Sequence, residues 1–120
     1  MGVWQCMARV VVRVEGDALN PEALRDQIDT EGCGSVVTFV GLTRGMEDGV
    51  EVEKLEFDAW EEMLPSVLQR LGLEAVEKFS INSVVMAHRT GVVHPQEPIV
   101  CIHVASPHRT EGFEACSWLI

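Results

Sequence analysis

The run from Ile99 to Cys116 constrains the fold most, because an apolar strand there passes into a helix with only Ser106 to make the join. Ile99 to Ala105 is apolar and β-branched enough to read as a strand. Ser106 can cap a helix whose first position is Pro107, which sets His108 and Arg109 in its first turn. Unpaired backbone N–H groups and the positive end of the helix dipole gather at that place, so it favours an anion. Complementary charge design puts Asp or Glu there. Two cations in that turn point to a ligand; the plainer alternative is an arginine bonded to a nearby carboxylate.

The rest of the chain supplies strands and helices in alternation. Ala8 to Val14 alternates as a strand with Ala8, Val10, Val12 and Val14 inward and Arg9 and Arg13 out. Asn20-Pro21-Glu22 is a cap, a proline at the first helical position and an acid in the first turn, opening a helix to about Ile28 with Ala23, Leu24 and Ile28 inward. Gly32-Cys33-Gly34 stops it. Ser35 to Val40 reads as a buried strand that delivers Gly41-Leu42-Thr43-Arg44 to its end, in a loop running on through Gly49. Val50 to Phe57 is the next strand, with a bulge expected where its apolar phase changes between Val52 and Leu55. Glu61 to Phe79 has apolar residues at helical spacing, with Pro65 tolerable only in the first turn and Gly72 expected to weaken or bend the helix. Ser83 to Ala87 is a strand, and a hairpin is expected near His94-Pro95-Gln96-Glu97-Pro98. This order predicts one α+β domain over residues 1–120, with an antiparallel or mixed sheet and two to three helices.

Nine Lys and Arg against nineteen Asp and Glu give a formal net charge of −10, which disfavours nucleic acid or an anionic membrane as partner. An anionic ligand must therefore find a local cationic pocket. The longest apolar runs are too short to cross a bilayer and no signal peptide is apparent, so a cytoplasmic location is expected. Cys6, Cys33, Cys101 and Cys116 form no C-x-x-C pair and read as reduced, buried thiols. No cofactor and no metal are expected: Cys101 and His103 share a strand face, but a site needs three or four ligands.

Three motifs carry a resemblance. Ser106-Pro107-His108-Arg109-Thr110-Glu111-Gly112-Phe113-Glu114-Ala115 resembles the S-x-H-R-x-x-x-F-E-A signature of the large, catalytic subunit of molybdopterin synthase. Gly34 to Arg44 is similar to that family's glycine-opened strand and G-x-x-R loop, and His88-Arg89-Thr90-Gly91 to its H-R-x-G segment. The motifs keep the family's order and span roughly two-thirds of the chain.

The resemblance implies an α/β-hammerhead-type fold and a homodimer of the large subunit, within a heterotetramer that includes a ubiquitin-like sulfur-carrier small subunit. It implies sulfur transfer, from a thiocarboxylate on the small subunit's C-terminal tail to cyclic pyranopterin monophosphate, giving molybdopterin. Arg44, His108 and Arg109 match the family's substrate-pocket residues, with Leu42 and Thr43 beside Arg44. His108 and Arg109 are the catalytic candidates, and His108 is suited to moving a proton. Phe39 is a candidate to line the channel for the partner's tail, or a core aromatic. The pocket draws on both subunits. Two lysines that follow the H-R motif in the family would fall beyond Ile120, so the sequence is expected to lack a C-terminal segment and, as given, to bind substrate but turn over poorly. The alternative is a non-catalytic binding module that docks the carrier or a complete large subunit. Gln96 and Pro98 stand where the family tends to have a glycine turn and an acid.

Overall fold

The computed structural model describes residues 9–44, 46–47, 50–51, 55–57 and 63–120. Its centre is a four-stranded mixed sheet of β1 (Arg9–Glu15), β6 (Ser83–Arg89), β8 (Pro98–Ser106) and β2 (Ser35–Leu42), side by side in that order. β1 runs parallel to β6, while β6–β8 and β8–β2 are antiparallel. Central β6 and β8 are covered on both faces, which is why their sequences are nearly unbroken apolar runs. The edge strand β2 is half-buried, less enclosed than its composition suggests.

Helices cover both faces. On one side lie α2 (Leu64–Phe79) and α3 (Arg109–Leu119), which with Val84, Met86, Ile102, Val104 and Ala115 form the larger core. On the other, Leu19, Leu24 and Ile28, around the short α1 (Pro21–Arg25), pack on Val85, Ala87, Cys101 and Ala105. The alternation of β1 divides accordingly: Val12 packs with the α2 side and Val11 with the α1 side. α1 starts as expected, with Asn20 Oδ1 accepting from Ala23 N at 3.1 Å. It stops sooner, at Arg25, and Ala23 is exposed, so only Leu24 and Ile28 anchor this face.

Gly72 has a packing role in α2. A Cβ there would lie 2.5 Å from Val10 Cγ1 and 3.0 Å from Met86 Cε, so the glycine lets the helix press onto the sheet. Gly112 does the same for α3, where a Cβ would lie 2.8 Å from Ser106 Oγ and 3.2 Å from Val37 Cγ2.

Four short strands make two further two-stranded sheets. β3 (Met46–Glu47) pairs with β4 (Val50–Glu51), so the stretch after Arg44 contains a small hairpin rather than only loop. β5 (Leu55–Phe57) pairs with β7 (Gly91–Val93), which splits the strand expected over Val50–Phe57 between two partners. The bulge expected after Val52, the start of the Glu61 helix, Ala8 and Cys6 fall outside the described residues. The turn before β8 is present as a His94–Glu97 turn, with Glu97 N donating to His94 O at 3.2 Å. The α+β expectation, with a mixed sheet and three helices, holds.

Candidate functional site

Each of the two basic clusters lies just past a strand end, and the β2–β8 register fixes their relation. Ser35 stands opposite Ser106, and Leu42 opposite Pro98. Leu42, Thr43 and Arg44 therefore leave the ladder at one end while His108 and Arg109 leave it at the other. The eight residues of β2 put seven steps between the ends, about 24 Å at ordinary strand rise. Neither segment folds back towards the other: Thr43 is bonded to residues 96 and 97, and Gly34 N donates to both Ser106 O and Pro107 O. One chain alone does not bring Arg44 and Arg109 together.

At the first end, Leu42 is 49% exposed, Thr43 only 2%, and Arg44 is exposed. Thr43 is fixed at three points: its N–H donates to Glu97 O at 3.0 Å, its carbonyl accepts from Gln96 N at 2.7 Å, and its hydroxyl donates to Glu97 O at 3.2 Å. Thr43 is thus a backbone anchor beside Arg44, with its hydroxyl already engaged. Gln96 adopts φ 71°, a left-handed conformation that glycine takes at no steric cost.

The second end differs from expectation in its boundary. β8 continues through Ser106, because the ladder to Ser35 holds it, and α3 begins at Arg109 with His108 as the N-cap residue. Ser106 is fully buried and its hydroxyl donates to His108 O at 2.6 Å, so it serves the turn and does not accept from a helix N–H. No side chain caps α3. Its first N–H groups, the exposed Arg109 and a His108 side chain that is 82% exposed together make a surface suited to an anion. Glu111, in the first turn, puts Oε1 3.8 Å from His108 Nδ1; that oxygen is buried and has no hydrogen-bond partner among the described residues.

The remaining candidates are engaged in the fold. Phe39 is half-buried and packs on the larger core under α2 and α3. Arg89 is a buried structural cation: its guanidinium donates to Glu97 Oε2 and to Val92 O, both at 3.0 Å. Glu97 Oε1 accepts from His94 N at 2.7 Å, and that bond, with the one from Arg89, holds the Glu97 carboxyl below the usual carboxylate range. His103 is satisfied by Thr38 Oγ1 at Nδ1, 2.7 Å, and by the Pro21 carbonyl at Nε2, 3.0 Å. Cys101 Sγ lies 3.3 Å from the same nitrogen, and burial first, then the Cys116 thiol, push the Cys101 thiol up to about 11. Among the described residues no group of three His, Cys, Asp or Glu is placed to hold a metal.

Compared with known families, residues 14–120 match the model described as MoaE protein. The chain belongs to the MoaE family. Among its curated relatives, the molybdopterin synthase catalytic subunit of Thermoplasma volcanium is 35% identical over 114 residues, covering 95% of this chain and 83% of that protein. The subunit of the same name from Bacillus subtilis is 33% identical over 102 residues, covering 85% of this chain and 65% of that protein. The crystal structure of molybdopterin synthase from Staphylococcus aureus superposes with a TM-score of 0.83 at 30% identity, over 89% of this chain and 78% of that one. A Burkholderia multivorans molybdopterin cofactor biosynthesis protein E gives 0.76 at 27% identity, over 94% and 73%. The MoaE assignment accounts for the three motifs at once, since each lies within the matched residues.

Sequence reasoning did not reach Glu97 or Glu111. Glu97 reaches Thr43 only through a pairing between residues 54 positions apart, which no local pattern announces. Glu111 is legible as a first-turn acid, but its approach to His108 depends on where α3 begins.

Proposed function

We propose that this chain acts as the catalytic subunit of molybdopterin synthase in molybdenum cofactor biosynthesis, transferring sulfur from a thiocarboxylated, ubiquitin-like small subunit to cyclic pyranopterin monophosphate. The observation that carries the reading is the MoaE match over residues 14–120, with exposed Arg44, His108 and Arg109 on it in a chain of net charge −10. A phosphate drawn to such a protein needs a local cationic pocket, and arginine suits it because the planar fork bonds phosphate oxygens in pairs. The uncapped start of α3 adds backbone donors to His108 and Arg109.

The separation of the two clusters in one chain supports a pocket shared between two copies. Arg44, with Leu42 and Thr43, comes from one subunit; His108 and Arg109 come from the other. His108, exposed and next to Glu111, is the proton-moving candidate, and Arg109 the charge that holds the reacting substrate. Phe39, beside Gly41 on the larger-core face, is the candidate to line the path of the partner's tail. The assembly is a homodimer of this subunit carrying two small subunits, in the cytoplasm.

The test is sulfur transfer from thiocarboxylated small subunit to the cyclic pterin, with and without the family's lysine segment appended after Ile120. Substrate binding in both forms and faster transfer with the segment support the reading. Binding of the small subunit with no transfer in either form favours the non-catalytic docking module.

A further inference from the structure

We infer that Arg89 and Glu97 form a clasp that sets the position of Arg44, so that both are positioning residues for the anionic substrate; this rests on the proposal that Arg44 binds that substrate. The clasp begins at the end of β6, where Arg89 is buried and spends two nitrogens, on Glu97 Oε2 and on Val92 O. Glu97 uses its second oxygen for His94 N, which closes the turn from both sides. The backbone of that turn then holds Thr43: Glu97 O accepts the Thr43 N–H and hydroxyl, and Gln96 N donates to Thr43 O. Arg44 is the next residue.

A buried ion pair is weak evidence of added stability, because desolvation offsets much of its attraction. What it does supply is one geometry, and supporting contacts of this kind decide whether a binding side chain is held or loose. The clasp fixes the peptide from which the Arg44 side chain springs. A misplacement of about 1 Å at a binding group can cost two orders of magnitude in rate. No charge of the clasp needs to touch substrate.

Titration with cyclic pyranopterin monophosphate separates the possibilities through a double-mutant cycle of Glu97→Gln and Arg44→Ala. Glu97→Gln keeps an oxygen for His94 N and removes the acceptor for Arg89. Glu97→Gln is expected to weaken binding about tenfold when Arg44 is present and less than about twofold when Arg44 is already alanine, a non-additivity that general loss of stability does not produce. Equal weakening in both backgrounds, or none with Arg44 present, overturns the clasp. Arg44→Ala alone reports on the underlying reading: if it binds as the parent does, the assignment of Arg44 has failed, and the clasp fails with it. Where Glu97→Gln does not fold, Arg89→Lys, which keeps the cation and loses the second fork, replaces it in the same cycle with the same outcomes.

Discussion

His103 Nε2 lies 3.0 Å from the carbonyl oxygen of Pro21, which can only accept, so that nitrogen carries the proton and Nδ1 accepts from Thr38 Oγ1. The neutral ring therefore ties β8 to both β2 and the start of α1. Burial first, and the nearby Arg25 charge in addition, hold its pKa below 6.5 against the opposing effect of the Pro21 bond. The unfolded chain thus takes up this proton at higher pH than the folded one. Stability from His103 is complete above about 6.5 and declines as pH falls below it. Denaturant midpoints at pH 7 and pH 5 should show a smaller drop for His103→Gln than for the parent; an equal drop contradicts the assignment.

The same interior predicts thiol behaviour. Cys101, raised to about 11, and Cys116, raised by burial, should resist alkylation in the folded protein. Cys33, half-buried and raised by burial and then Asp29, should be modified ahead of both. Mass spectrometry of peptides after a timed iodoacetamide pulse gives the order, and early labelling of Cys101 would contradict it.

Gln96 at φ 71° predicts a stabilising substitution. Gln96→Gly relieves a left-handed conformation costing about 1–2 kcal/mol and gives back part of that in unfolded-state entropy, for a net gain of about 0.5–1 kcal/mol. Thermal unfolding should show a rise of a few degrees. The resemblance marks Gln96 as standing where the family tends to have a glycine turn, and the backbone here is left-handed without the glycine.

Gly72→Ala sets two magnitudes against each other. Helix propensity favours alanine by about 1 kcal/mol. The new Cβ, 2.5 Å from Val10 Cγ1, forces the β1 or α2 side to move, and overpacking of this kind costs about 1–3 kcal/mol. The clash should win or cancel, whereas an exposed control in the same helix, Glu74→Ala, should change stability by less than about 0.5 kcal/mol. A gain of a full kcal/mol for Gly72→Ala would show that α2 does not rest on Val10.

Legibility followed the range of the interaction. The strands and the start of α1 were readable because periodicity and caps are local: Asn20-Pro21-Glu22 behaves as its residues dictate. Ser106 misled because a serine before a proline looks like a cap, while the long-range ladder to Ser35 keeps it in β8 and shifts the start of α3 to Arg109. The division of Val50–Phe57 was invisible for the same reason, since β5 is defined by its partner β7. For the site, the basic residues were legible as motifs, but only the register revealed that Arg44 and Arg109 lie past opposite ends of the β2–β8 ladder.

That separation gives the central claim its most direct test. Arg44→Ala and Arg109→Ala chains, each expected to bind the cyclic pterin at least tenfold more weakly than the parent, are mixed, unfolded together and refolded. If each pocket takes Arg44 from one copy and Arg109 from the other, random pairing regenerates complete pockets at about a quarter of the parent's number, visible as tight binding sites in a titration. Should the mixture show no tight sites beyond those of its separate components, each pocket is built within a single chain and the account is wrong.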